Sequence, residues 1–210
     1  MLNAEDFFAV CAGQWQTDRI YHYPLRGEVE RSHTEFNAET LSSVEKHQIS
    51  SSFIPREFFK SAEAIESAYG FTIAFDTKSE TGEEVSMRLK ALFVPDAIIT
   101  YPDKLPKDPT APALPLSAEV SDSEEVMHGF YLRNEGYSES GAITGRFTYL
   151  PSRQALEMTT YYARSVAVDQ IRILSEQVRL RTILTYQRPV AGVVPSVITL
   201  VGFGLERREE

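Results

Sequence analysis

In its second half the chain is divided into short segments of alternating polar and apolar residues, and that spacing constrains the fold more than any other feature. Residues 129–133, 141–150, 155–164, 168–174, 178–188 and 194–205 each suit one strand, and the links between them are short and polar or contain Gly or Pro. Links of that length join antiparallel neighbours by hairpins; they are too short for parallel crossovers. With the strands read upstream, the pattern predicts about eight to ten strands and only one or two helices. So many strands expose two edges unless the sheet closes, so the expected fold is all-β, a closed antiparallel up-and-down barrel.

The first half supplies the remaining pieces. Asn3 can cap a short helix that carries Glu5 and Asp6 in its first turn and ends near Gly13. Phe7, Phe8 and Cys11 would face inward, which makes Cys11 a packed hydrophobe. Residues 14–22 alternate Trp15, Thr17, Arg19 and Tyr21 against a polar set and read as a strand; residues 27–37 read as its partner across a Pro24–Gly27 turn. Residues 40–52 are expected to form a third strand, with mixed periodicity. Residues 55–69 are expected to hold a short helix closed by Gly70. Residues 71–76 and 84–94 complete the set, turning at Thr81 and Gly82.

Between residues 95 and 125 the composition changes, with five prolines from Pro102 to Pro115 followed by an acidic stretch. It is too short for a domain and too irregular for a sheet, so residues 1–210 are read as one domain with a Pro-rich, acidic excursion. The 210 residues are 42% hydrophobic and 24% charged, ordinary for one globular domain. The net charge of −9 and the absence of a basic patch argue against nucleic acid. A single cysteine excludes an internal disulfide, and four scattered histidines show no ligand spacing, so no metal is assigned. No apolar run approaches the roughly 18 residues of a membrane span, and the N-terminus is acidic where a signal peptide would be basic.

One hairpin carries chemistry. In Val168 to Tyr186, with Ser175 to Gln177 as a three-residue loop, Arg179 pairs with Ile173, Arg181 with Ile171, and Asp169 with Ile183. Two guanidinium groups and one carboxylate then share one wall. Alternation does not say which face is inside. Either this wall lines the interior, or it is a solvated face with Leu180 and Leu184 buried behind it.

Further motifs give the hairpin a context. Phe7-Phe-x4-Gly-x-Trp-x3-Arg-x2-His, Leu92-x-Val-Pro, Gly129-x3-Arg-x2-Gly-Tyr, Leu156-x-Met-Thr-Thr-Tyr-Tyr, Asp169-x9-Arg179-Leu-Arg181-Thr182 and Phe203-x-Leu-Glu-Arg stand in this order. Together they resemble the S-type phycobiliprotein lyases, the CpcS/CpeS group, over nearly the whole chain. The resemblance implies a lipocalin-like barrel that attaches a linear tetrapyrrole, phycocyanobilin or phycoerythrobilin, to a cysteine of a phycobiliprotein subunit through a thioether. It implies that Arg179 and Arg181 grip the bilin propionates and that Asp169, where the family carries Glu, is the catalytic carboxylate facing the pyrrole nitrogens. It also places Arg133, Trp15, Arg19 and Ile183 among the ligand-binding residues. No cofactor is implied, the bilin being substrate. The implied partners are the bilin, a phycobiliprotein α or β subunit, and a second lyase chain in a homodimer or in a heterodimer with a paralogue. The implied compartment is the cytoplasm or plastid stroma.

The physics of the residues suits these roles. Arginine presents a rigid fork of donors that matches a carboxylate, and alternate strand positions set two forks about 7 Å apart. The attacking thiol belongs to the acceptor, so no nucleophile is required here. The chain departs from the family at Asp169, at Arg172 in place of an aromatic residue, at Ile183 in place of Ser, and at Phe75-Asp76 in place of Trp-Glu. Two other functions are weighed beside catalysis: a bilin carrier that forms no bond, and a barrel for fatty acids. A fatty acid needs one basic anchor, so two arginines with a carboxylate favour a dianion.

Overall fold

The computed structural model describes residues 1–102, 105, 126–137, 139 and 141–209. Ten antiparallel strands form one closed barrel: β1 Gly13–Tyr23, β2 Glu28–Thr40, β3 Tyr69–Ser79, β4 Glu84–Pro95, β5 Met127–Arg133, β6 Ile143–Leu150, β7 Ala155–Tyr161, β8 Ser165–Ser175, β9 Val178–Gln187 and β10 Ile198–Arg208. Neighbours in sequence are neighbours in the sheet, and β10 returns to β1 from Trp15↔Arg208 to His22↔Val201. Closure leaves no edge strand, as the density of short segments required.

One end of the barrel is plugged. Helix α1, Ala4–Cys11, is capped by Asn3, whose side chain accepts from the Asp6 amide. It buries Phe7, Phe8 and Cys11 against Phe93, Phe147, Tyr149 and Leu156. The plug is tied to the strand ends. Arg208 donates to the carbonyls of Val10 and Ala12, and Tyr149 Oη donates to Leu2 O at 2.8 Å. Gln154, in left-handed conformation at φ 49° in the β6–β7 turn, accepts from the Leu2 amide at 2.9 Å. The connections β1–β2, β3–β4, β5–β6, β7–β8 and β9–β10 all lie at the opposite, open end.

Three expectations need correction. Residues 40–52 are not a third strand: helix α2 runs Ser43–Ser51, with a full capping box between Ser42 and Glu45. The amide of Ser42 and the ammonium of Lys90 hold the Glu45 carboxyl down to about 2. The Ser-x-x-Glu signature outranks the mixed alternation. Residues 55–69 form two 3-10 turns, Arg56–Phe58 and Ala64–Ser67, in place of one helix. Gly70 lies within β3 and closes no helix; a Cβ there would stand 2.6 Å from a Leu41 methyl and 2.8 Å from Ala91 O. Its requirement is close packing of α2's approach onto the sheet.

These turns and α2 cover the outer face of β4 and β5, where Leu41, Ile49, Ile65, Leu92, Val94 and Leu132 make a second apolar cluster outside the barrel. Most of the acidic and Pro-rich excursion lies outside the described residues; its described beginning includes a 3-10 turn, Asp96–Ile98.

Candidate functional site

The β8–β9 register decides which face of the hairpin is inside. Asp169 pairs with Ile183, Ile171 with Arg181 and Ile173 with Arg179, as the sequence predicts, although the turn is Glu176-Gln177 with an irregularity between Ile173 and Ser175. The charged face points into the barrel, and Leu180 and Leu184 are only half-buried on the outer side. Asp169, Arg179, Arg181 and Ile183 line a cavity of about 530 Å³, within the range of small-molecule sites. Arg19 of β1 lines it as well, beside Tyr21, Phe36, Phe71, Phe75 and Tyr131.

The two arginines of β9 are held differently. Arg179 is 3% exposed and held on two sides. Its Nε donates to Glu206 Oε2 at 2.5 Å and its Nη1 to Cys11 O at 3.2 Å. Its guanidinium carbon lies 4.1 Å from the centroid of the Trp15 ring and 5.2 Å from that of Phe36. Arg181, one turn of the pleat nearer the mouth, lies 3.4 Å from Asp169 Oδ1, and its Nε has no acceptor among the described residues. Arg181 and Arg19, whose Nε also lacks an acceptor among the described residues, are the cavity cations with donors to spare.

Glu206 of β10 organises the floor and was not singled out as a functional residue in the sequence. It is wholly buried and takes Arg179 on one oxygen and Arg19 Nη2, at 3.2 Å, on the other. Burial pushes its carboxyl up, but Arg179, Arg181 and Arg19 outweigh burial and hold it below the usual carboxylate range. On β1, β8, β9 and β10 three guanidinium groups, Arg19, Arg179 and Arg181, thus face two carboxylates, Asp169 and Glu206, and Glu30 of β2 lines the cavity beside them. The signal was present in β10 as Gly202-x-Gly204-x-Glu206. Gly204 sits between Arg19 and Arg181 in the sheet, and a Cβ there would lie 3.0 Å from Arg19 Cγ and 2.8 Å from Thr17 Oγ1. The missing side chains make room for the arginines.

Two expected ligand-binding residues lie behind the cavity wall. Trp15 is completely buried beneath Arg179 and also lies under Arg208, 5.0 Å from its ring centroid, so it positions cations and does not line the cavity. Arg133 is likewise buried, donating to Tyr162 Oη and lying 4.4 Å from the Tyr137 ring centroid. Tyr131, Tyr137 and Tyr162 stand at the cavity surface around it. Of the departures from the family pattern, Arg172 is exposed on the outer face of β8, whereas Phe75 and Ile183 line the cavity. The Cys11 thiol lines the floor, where burial raises its pKa, so it is a poor nucleophile. Among the described residues no group of three His, Cys, Asp or Glu side chains could hold a metal, and no helix is long and apolar enough to cross a membrane.

Comparison with known proteins gives this chain relatives. The model of the family described as CpeS-like protein matches residues 3–104 and 103–209. A protein of Synechococcus sp. (strain JA-3-3Ab) named Chromophore lyase CpcS/CpeS 1 is 37% identical over 203 residues, 96% of this chain and 94% of its own length. The solved structure of the S-type phycobiliprotein lyase CPES from Guillardia theta superposes with a TM-score of 0.65 at 17% identity, covering all of this chain and 94% of that one. At that identity the superposition speaks for the barrel fold.

Proposed function

This chain belongs to the CpeS-like protein family, and on that premise we propose that it is a chromophore lyase that binds a linear tetrapyrrole in the barrel and delivers it to a cysteine of a phycobiliprotein subunit. The observation that carries the reading is the inward-facing set of Arg181, Arg19 and Asp169 in a largely apolar cavity. A bilin carries two propionates and a row of pyrrole N–H groups on an apolar frame, and so asks for cations, a carboxylate and aromatic walls together. A fatty acid asks for one cation only.

In the reaction the acceptor thiol adds across the ethylidene double bond: a C–S bond forms, the thiol proton is given up, and a proton is taken by the conjugated carbon frame. No electron is gained or lost. The chain's own part is to hold the bilin dry and oriented, with Arg181 on a propionate and Asp169 against the pyrrole N–H groups or relaying the proton. Arg179, fixed by Glu206, supplies positive potential from the floor. Asp169 is shorter than the family's Glu and faces Ile183 where the family has Ser. Those two changes favour shared activity, with a paralogous lyase chain completing the catalyst. A reduced acceptor thiol suits the cytoplasm or plastid stroma.

The test is spectroscopic and covalent. Purified protein should shift the absorbance of phycocyanobilin or phycoerythrobilin, and Asp169→Asn should still bind it. Transfer to an apo-subunit, followed with and without a paralogous lyase, should fall about 10²-fold in Asp169→Asn and recover in Asp169→Glu. Full transfer by Asp169→Asn would remove the acid–base role and leave a bilin-presenting barrel.

A further inference from the structure

Loops are ordinarily polar, and the β9–β10 loop is not. Between Gln187 and Ile198 it carries Val190, Val193, Val194 and Val197, which are 76%, 48%, 47% and 42% exposed. Leu25, at the tip of the β1–β2 turn on the adjoining side of the same barrel end, is 66% exposed. The ends of the loop are tied down. The Gln187 amide donates to Val197 O at 2.8 Å, the Arg188 amide to Arg164 O at 3.0 Å, and Arg188 Nη1 to Tyr162 O at 2.6 Å. Pro189 and Pro195 stiffen it further. Four exposed valines on one short loop make an apolar surface of the kind that a partner covers.

Access to the cavity identifies the partner. The opposite end is plugged by Phe7 and Phe8 of α1, so among the described residues the end that bears this loop is the open one through which a thiol would reach a bilin. We propose that Val190, Val193, Val194 and Val197, with Leu25, form the docking surface for the acceptor phycobiliprotein subunit, which seats an apolar face around its own cysteine on this side of the mouth. The proposal rests on the lyase reading. The loop lines no part of the cavity, so it sets the affinity for the acceptor and leaves the affinity for the bilin alone.

The experiment keeps these two affinities apart. Association of the bilin-free protein with purified apo-α and apo-β phycobiliprotein subunits is measured by sedimentation velocity, and phycocyanobilin uptake is measured separately by absorbance. Val193→Asp/Val194→Asp, both in an exposed loop, should weaken association about 10-fold or more while bilin uptake and circular dichroism stay as in the parent. Leu25→Asp should do the same from the other side of the mouth. Unchanged association in both variants overturns the proposal, as does a loss of bilin uptake equal to the loss of association. A parent protein that takes up bilin yet associates with neither subunit also overturns it. Failure of the parent to take up bilin would sink the lyase reading, and the association arm would still decide the docking surface.

Discussion

Arg179 and Arg181 stand two residues apart on one strand and have different work, because Glu206 makes its direct ion pair with Arg179 while Arg181 faces Asp169. Breaking a buried ion pair leaves an uncompensated charge in low dielectric, at a cost of about 3–5 kcal/mol. Arg179→Ala should therefore lower stability by that order in chemical denaturation. Arg181→Ala breaks the longer, 3.4 Å pair with Asp169, so it should cost less stability and weaken bilin binding by about 1.5–3 kcal/mol, read from an absorbance titration. Equal effects of the two substitutions on both measurements would contradict the division of labour. The Glu206 pair also sets a pH response. Its carboxyl is held below the ordinary value, so its contribution is fully present above about 4.5 and is lost as pH falls through the lower, folded-state value. Stability should drop as the solution is acidified below that point. In Glu206→Gln the starting stability should be lower and the acid-side slope shallower, as measured by urea melts across pH.

At the scale of elements, β10 is shaped by what it lacks. Gly202 and Gly204 face the interior opposite Ile183 and Arg181, and their empty positions are filled by Tyr21 and Arg19 from β1. Gly204→Val would force Arg19 away from Glu206 and narrow the cavity beside Arg181. Bilin uptake should fall at least 10-fold with the far-UV spectrum of a β-barrel retained; uptake equal to the parent would show that the wall can give way. The helices offer a contrast. Helix α2 is announced by Ser42 and Glu45, a local chemical signal that alternation counting passes over, since it registers only the spacing of apolar residues.

The whole molecule is a vessel closed at one end. Phe7 is completely buried, with its ring centroid 4.7 Å from that of Tyr149, and Phe8 stacks on Tyr69 at 4.3 Å. Deleting such a ring leaves a void that rigid strands cannot collapse, so Phe7→Ala should cost about 3–5 kcal/mol. It should also raise the binding of a hydrophobic dye to the bilin-free protein by opening the floor, and an unchanged melting temperature would contradict the plug. The charge distribution is the other whole-molecule property. Among the described residues the exterior carries most of the acids, while the interior keeps its arginines next to the few acids it holds.

Strand count, hairpin connectivity and the β8–β9 pairing were legible in the sequence because they depend on local period and turn chemistry, which neighbouring residues set. The motif order likewise pointed to the family. The tertiary structure alone decided that the arginine face is interior, since a period of two residues is identical for both faces and only closure of the sheet breaks the tie. It also decided that Trp15 and Arg133 stand behind the cavity wall, and that Glu206 claims Arg179. Glu206 lies 27 residues from Arg179 along the chain, and their meeting depends on the register of β10 on β9, which the long loop between them leaves open.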